Sequence, residues 1–236
     1  MAVDAAGKPR RRVNGEASRQ KILTAATEIA VDRGYEGTSI ALVSKRSGLP
    51  ASSIYWHFQD KDALIAAVID RSFESWLSST AYGEPVTGDG SVEERLEAMM
   101  RRTGTALLDS SDFLRLGLML SLERRAEEPT ARRRFLTVRA EAVERTISTF
   151  GTLFPELDNQ DLRRLSTFTM AVADGLFINH EIHQGTSEAL THDTGEALAH
   201  DTSEALTQDT SEALAMFDLL AAAVLGAARR LGAAHP

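Results

Sequence analysis

From Ser18 onward, apolar residues recur at helical spacing. Ile22, Ala26, Ile29 and Ala30 share one face. Ser18 stands where an N-cap belongs and Gly34 where a C-cap belongs. Thr38 offers a second cap. Ile40, Val43, Ser44 and Ser47 then form a short face that Gly48 ends after about two turns. Pro50 suits the first turn of a third helix, where a missing N–H costs little. That helix turns Ile54 and Phe58 inward at i, i+4. Asp60 can cap a fourth helix, with Leu64, Val68, Phe73, Trp76 and Leu77 as buried positions. A Gly- and Pro-bearing loop at 83–91 separates this region from helical stretches at about 92–109, 112–126, 129–152, 159–184 and 211–231. Strand-like alternation is almost absent. The pattern predicts an all-α fold. An N-terminal three-helix bundle with a helix-turn-helix occupies 18–77, and a larger C-terminal helical domain occupies 78–236.

One segment breaks the pattern. Residues 185–216 are four eight-residue units, GTSEALTH, DTGEALAH, DTSEALTQ and DTSEALAM. Eight residues at ~100° each leave ~80° of rotation per unit. Leu190, Leu198, Leu206 and Leu214 would spiral around a continuous helix, and no single face would bury all four. Each unit also begins with Asp or Gly and then Thr, and has Glu at its fourth place, like a renewed N-cap. The insert is expected to be a solvated linker of fraying helical turns whose last unit joins the final helix. An acidic partner-binding segment is the alternative.

Composition narrows the class. The 236 residues include no cysteine, which excludes a disulfide framework, an iron–sulfur cluster and a thiolate zinc site. Residues 1–17 are polar and basic and are read as a disordered arm. No apolar signal core follows them, and no apolar run is read as approaching the ~20 residues of a membrane span. A cytoplasmic protein with no membrane partner is expected. The net charge is −8, but the repeat holds 7 acids and no Lys or Arg. The negative balance is therefore mostly local and does not argue against binding a polyanion. No phosphate-cradling Gly-rich loop, H-E-x-x-H motif or Cys nucleophile is present. Hence no enzymatic activity, catalytic residue, cofactor or metal site is expected. His180 and His183 stand at i, i+3, but no third and fourth ligand can be named for a metal.

The informative stretch is TSIALVSKRSGLPASSIYWHFQDKDAL, residues 38–64. Two short helices around Ser47-Gly48-Leu49 make a helix-turn-helix. The second helix is short enough for its N-terminal residues to enter a major groove about 12 Å wide. Ala51, Ser52 and Ser53 are its small outward groups, and Ile54 and Phe58 its anchors. Tyr55, Trp56 and His57 can reach phosphates through a hydroxyl, an indole N–H and an imidazole. Lys61 lies at the start of the next helix, where the ammonium and the helix N-terminus both favour a phosphate.

At these residues the chain resembles the TetR family of bacterial transcriptional regulators. Tyr55-Trp56-His57-Phe58, then Asp60-Lys61-Asp62 and Leu64, look like that family's recognition-helix ending and fourth-helix start. Gly34-Tyr35, Thr38 and Ser47-Gly48-Leu49 match the rest of the pattern. The likeness covers about residues 18–77. It implies that Ser18, Thr38, Ser39, Tyr55, Trp56, His57 and Lys61 contact the DNA backbone, that Lys45 is a DNA-binding position of helix two, and that Ala51, Ser52 and Ser53 face bases. Pro50 replaces a frequent capping Ser or Thr, and Ala51 a frequent Lys or Arg, so direct base reading is expected to be thin. Thymine methyls, the basic arm or DNA shape would then carry more of the specificity.

One short helix reads few base pairs, so a palindromic duplex and a homodimer are expected. Helices 159–184 and 211–231 are the natural interface, the latter carrying Ala215, Leu219, Leu220, Ala222, Ala223, Leu225 and Ala227. The remaining helices are expected either to be plain core or to enclose a pocket for a small, largely apolar effector. Its candidate lining is Phe113, Leu116, Met119, Leu120, Phe150, Phe168, Asp174, Phe177 and His180, with Phe135, Met170 and Asn179 nearby. The expected function is that of a homodimeric, effector-released repressor. A protein-interaction module using the same fold is the rival reading.

Overall fold

The structure is a computed structural model. It describes residues 10–79, 90–109, 112–122, 129–194 and 199–233, with side chains except at 10–13, 113, 184–194 and 199–209. Every regular element among the described residues is helical: α1 (Arg10–Gly37), α2 (Ile40–Ser47), α3 (Ala51–His57), α4 (Lys61–Ser79), α5 (Val92–Asp109), α6 (Asp112–Leu122), α7 (Thr130–Leu153), α8 (Asn159–Thr194) and α9 (Ala199–Gly232). The chain divides into two compact units, residues 1–75 with 111–139, and 76–110 with 140–236. The N-terminal unit is thus larger than the expected 18–77, because α6 and the first turns of α7 cluster with it.

In the first unit, Ile22, Leu23, Ala26 and Ala30 of α1 are buried along with Val43 of α2, Ile54 of α3 and Leu64, Ile65, Val68 and Ile69 of α4. Burial of this apolar stripe, more than helix propensity, stabilises such short helices. The Arg71 guanidinium donates to the Thr24 hydroxyl at 3.1 Å and the Thr27 hydroxyl at 2.6 Å, joining α4 to α1. Gly34 breaks α1 with φ 68° and ψ −175°. A Cβ there would lie 2.6 Å from the Met119 methyl of α6, so only glycine suits both the backbone and the space.

In the second unit, α5, α8 and α9 enclose Met99, Met100, Leu107, Leu165, Phe177, Phe217, Leu220 and Val224, and Phe150 of α7 is also buried. The start of α5 is closed by a reciprocal capping box. Glu94 N donates to the Ser91 hydroxyl at 3.2 Å and Ser91 N to the Glu94 carboxylate at 2.8 Å. Arg101 grips Asp218 with a bidentate pair at 2.6 and 2.5 Å, and Arg229 pairs with Glu93, so α9 is held to α5 at two places.

Several expectations are corrected. Helix α1 begins at Arg10, so residues 10–17 are helical rather than a disordered arm, and residues 1–9 lie outside the described residues. The expected 83–91 loop falls outside them up to residue 89. The repeat is not a frayed linker. Residues 185–194 extend α8 and 199–210 begin α9, leaving 195–198 outside the described residues. Ala, Leu and Glu are strong helix formers, and lengthening a helix already packed below avoids the cost of nucleation. Finally, the stretch 210–232 holds an 18-residue window of mean hydropathy 1.6 and is long and apolar enough to cross a membrane by length and composition, whereas no apolar run of that kind is expected from the sequence. Alanine raises that mean. In the structure the stretch packs Phe217, Ala221 and Val224 into the second unit.

Candidate nucleic-acid interface

Helix α2 is started by Ser39, whose hydroxyl accepts from Leu42 N at 3.3 Å while its own backbone stays extended. Thr38, expected as that cap, is instead 1% exposed and donates to the Gly34 carbonyl at 2.8 Å. Gly48 ends α2 in the left-handed region, φ 69° and ψ 15°. The turn is pinned further by the Ser44 hydroxyl donating to the Leu49 carbonyl at 2.7 Å. Pro50 is the N-cap residue of α3, one position before the first turn, and makes no side-chain cap.

Helix α3 has two sides. Ile54 is wholly buried and Phe58 is 6% exposed, with the Arg19 guanidinium 5.5 Å from the Phe58 ring centre. Outward, Trp56 is 74% exposed and Tyr55 57%. Large aromatics left this open on a helix of seven residues serve no core, which marks the face for a partner. Ser52 is exposed beside them, and Ala51, Ser53 and His57 are half-buried. Trp56 and His57 meet edge to face at 4.5 Å. Gly15 of α1 stands beside Trp56, where a Cβ would lie 3.6 Å from the indole, so α1 at Gly15 lies at the edge of this face. Burial pushes the His57 imidazole below its ordinary pKa, and the Arg19 charge lowers it further.

The other candidates divide. Ser39 and Lys45 are exposed. Lys45 lines an open cleft of about 480 Å³ between α1 and α2, with Arg46, Arg33, Glu28 and Asp32. Ser18 is not at a helix start: it lies within α1 and its hydroxyl donates to the Asn14 carbonyl at 2.8 Å. Lys61 is held from within. Its ammonium donates to the Tyr35 carbonyl at 3.2 Å, lies 4.1 Å from the Tyr35 ring centre and pairs with Glu36 at 3.6 Å. Sequence spacing missed Asp62, whose carboxylate receives groups from α1 and α7, because no local signal announces a partner 68 residues away.

The effector candidates are divided between the two units. Leu116, Met119 and Leu120 belong to the first unit, where Leu116 and Leu120 are core, and Phe113 lies outside the described side chains. Phe150 and Phe177 are core of the second unit, and Phe168 is 42% exposed. Asp174 is half-buried on α8. His180 alone of the nine lines a cavity of about 170 Å³ between α8 and α9, with Leu176, Asn179, His183, Glu212, Ala213 and Met216. Among the described residues no group of three or more His, Asp or Glu is placed to hold a metal ion.

A short, two-sided helix bolted behind a glycine turn, with exposed aromatics and hydroxyls in front, defines a helix-turn-helix DNA-binding domain. Residues 22–68 match the family described as bacterial regulatory proteins, tetR family, and this N-terminal domain is a TetR-family domain. The chain is 35% identical over 78 residues to an HTH-type transcriptional repressor of Mycobacterium tuberculosis, a stretch covering 33% of this chain and 30% of that one. It is 30% identical over 95 residues to the HTH-type transcriptional regulator UidR of Escherichia coli, covering 40% and 47%. The chain thus matches less than half the length of these relatives. The fold is shared more widely. A putative TetR-family transcriptional regulator from Mesorhizobium loti superimposes with a TM-score of 0.61 at 19% identity, covering 93% of this chain and 98% of that one.

Proposed function

We propose that this protein is a homodimeric, sequence-specific transcriptional regulator of the repressor type, released from a palindromic operator by a small effector. The observation that carries the reading is the outer face of α3, with Tyr55 and Trp56 open to solvent while Ile54 and Phe58 fix the helix from behind. The DNA contacts proposed are Ser39, Lys45, Ala51, Ser52, Ser53, Tyr55, Trp56, His57 and Lys61. A cytoplasmic location follows from that role.

Dimerisation is supported by what α8 and α9 leave uncovered. Phe168, Ile178 and Ile182 of α8 and Leu219 of α9 are 39–61% exposed. Ala171 and Gly175 continue the stripe on α8, and Ala222, Ala223 and Gly226 on α9, all exposed. Only 28% of the most apolar window of α9 is buried within the chain. Small residues among larger apolar ones suit the close approach of a second helix pair. The effector is assigned to the cavity around His180. Its lining of Leu176, Ala213 and Met216 with Asn179, His180, His183 and Glu212 supports a compact molecule that carries hydrogen-bonding groups as well as apolar surface.

The test is selection of bound sequences from a random duplex pool, followed by titration of the recovered duplex against salt. A two-fold symmetric site and a steep loss of affinity with salt are expected. Recovery of no sequence, even at low salt, refutes the reading and favours the protein-interaction module.

A further inference from the structure

Helix α7 begins at Thr130, and its first turn presents backbone N–H groups that have no partner within the helix. Two of them are taken by a side chain from another element. Thr130 N donates to Asp62 Oδ2 at 2.5 Å and Ala131 N to Asp62 Oδ1 at 3.0 Å. The Tyr35 hydroxyl donates to the same Oδ1 at 3.4 Å. Asp62 sits in the first turn of α4, next to Lys61, and the Tyr35 ring and carbonyl hold the Lys61 ammonium. Farther along the same two helices, Arg134 of α7 pairs with Asp70 of α4.

We propose that Asp62 is a positioning residue for DNA-backbone binding: by capping α7 and holding Tyr35, its carboxylate sets the place from which Lys61 reaches a phosphate. This rests on the operator-binding reading above. A carboxylate suits the task because it only accepts, offers two oxygens to three donors, and carries the charge that a helix N-terminus favours. Asparagine would turn an NH2 group toward one of those donors. The residues of α7 after Arg139 belong to the second unit.

The experiment uses the full chain and the duplex recovered from the random pool. Affinity is measured from low to moderate salt for wild type, Lys61→Ala, Asp62→Asn and the double variant. Thr130→Pro removes the Thr130 donor from the other side, at a helix position where proline is well tolerated. Asp62→Asn is expected to weaken binding about tenfold and to reduce the slope of log K against log salt by about one, the loss of one phosphate contact. The double variant should bind no more weakly than Lys61→Ala alone, and Thr130→Pro should change affinity and slope in the same direction as Asp62→Asn. A purely structural loss would lower the melting temperature, leave the slope intact and add to the effect of Lys61→Ala. Either an unchanged slope or additive losses overturn the proposal. If wild type itself fails to bind the duplex, it is the operator reading that falls.

Discussion

Replacing Leu219 with glutamate should dissociate the proposed dimer without unfolding the subunit. Leu219 is 61% exposed on α9, between the exposed Ala215 and the exposed Ala222, Ala223 and Gly226. Fully burying a leucine side chain contributes about 1.5–3 kcal/mol, so covering the open part contributes about 1–2 kcal/mol. A two-fold interface uses the residue twice, giving about 2–4 kcal/mol. The dimer dissociation constant should therefore rise roughly thirty- to several-hundred-fold. Desolvating two carboxylates adds to that figure. Sedimentation equilibrium over a dilution series reads the constant, and far-UV circular dichroism checks that helix content is kept. Operator affinity should fall in parallel, because two half-sites are read by two linked helices. A dissociation constant within threefold of wild type would refute the assignment of this face to the second copy.

Gly117→Ala should destabilise the protein by about 1–3 kcal/mol in urea unfolding, since the new Cβ would fall 2.0 Å from the Phe135 ring. The gain of up to about 1 kcal/mol from alanine's helix propensity is smaller, so net stabilisation would count against this packing. Gly48→Ala should cost about 1–2 kcal/mol for its backbone alone, because φ is 69° and no atom lies within 4 Å of the added methyl. Gly48→Asn should recover part of that loss, and equal stability of the glycine and alanine forms would refute the strain. His57 should titrate below 6.5 by NMR, chiefly through burial and then through Arg19, and Arg19→Gln should move it upward. The folded state then binds fewer protons than the unfolded chain, so this group's contribution to stability is complete above 6.5 and declines as the pH falls through that value toward the folded pKa. An imidazole pKa at or above 6.5 in the free protein would contradict the burial.

Local spacing carried much of the fold. Helix α5 runs from Val92 to Asp109, as its stripe predicts, because Ser91 and Glu94 close its start within one turn of chain. The Asp60 cap of α4 is real for the same reason, with Ala63 N at 2.8 Å from its carboxylate. Between Thr38 and Ser39 spacing chose wrongly. Either hydroxyl can cap, and the choice followed from the break at Gly34, whose carbonyl takes the Thr38 hydroxyl. The periodicity of the repeat does not carry its conformation, because the packed helices that it prolongs lie outside it in sequence.

Residue types at short range determined the helices, the turn at Gly48 and the division of α3 into an anchored and an open side, since each depends on groups within a few residues of one another. Tertiary structure alone decided that Asp62 caps α7, that Lys61 is held by Tyr35 and Glu36, and that His180 lines a cavity while Phe150 and Phe177 are buried in the core. Those relations join segments tens of residues apart. A periodic pattern states which face of a helix is turned inward, but only packing states what it meets there.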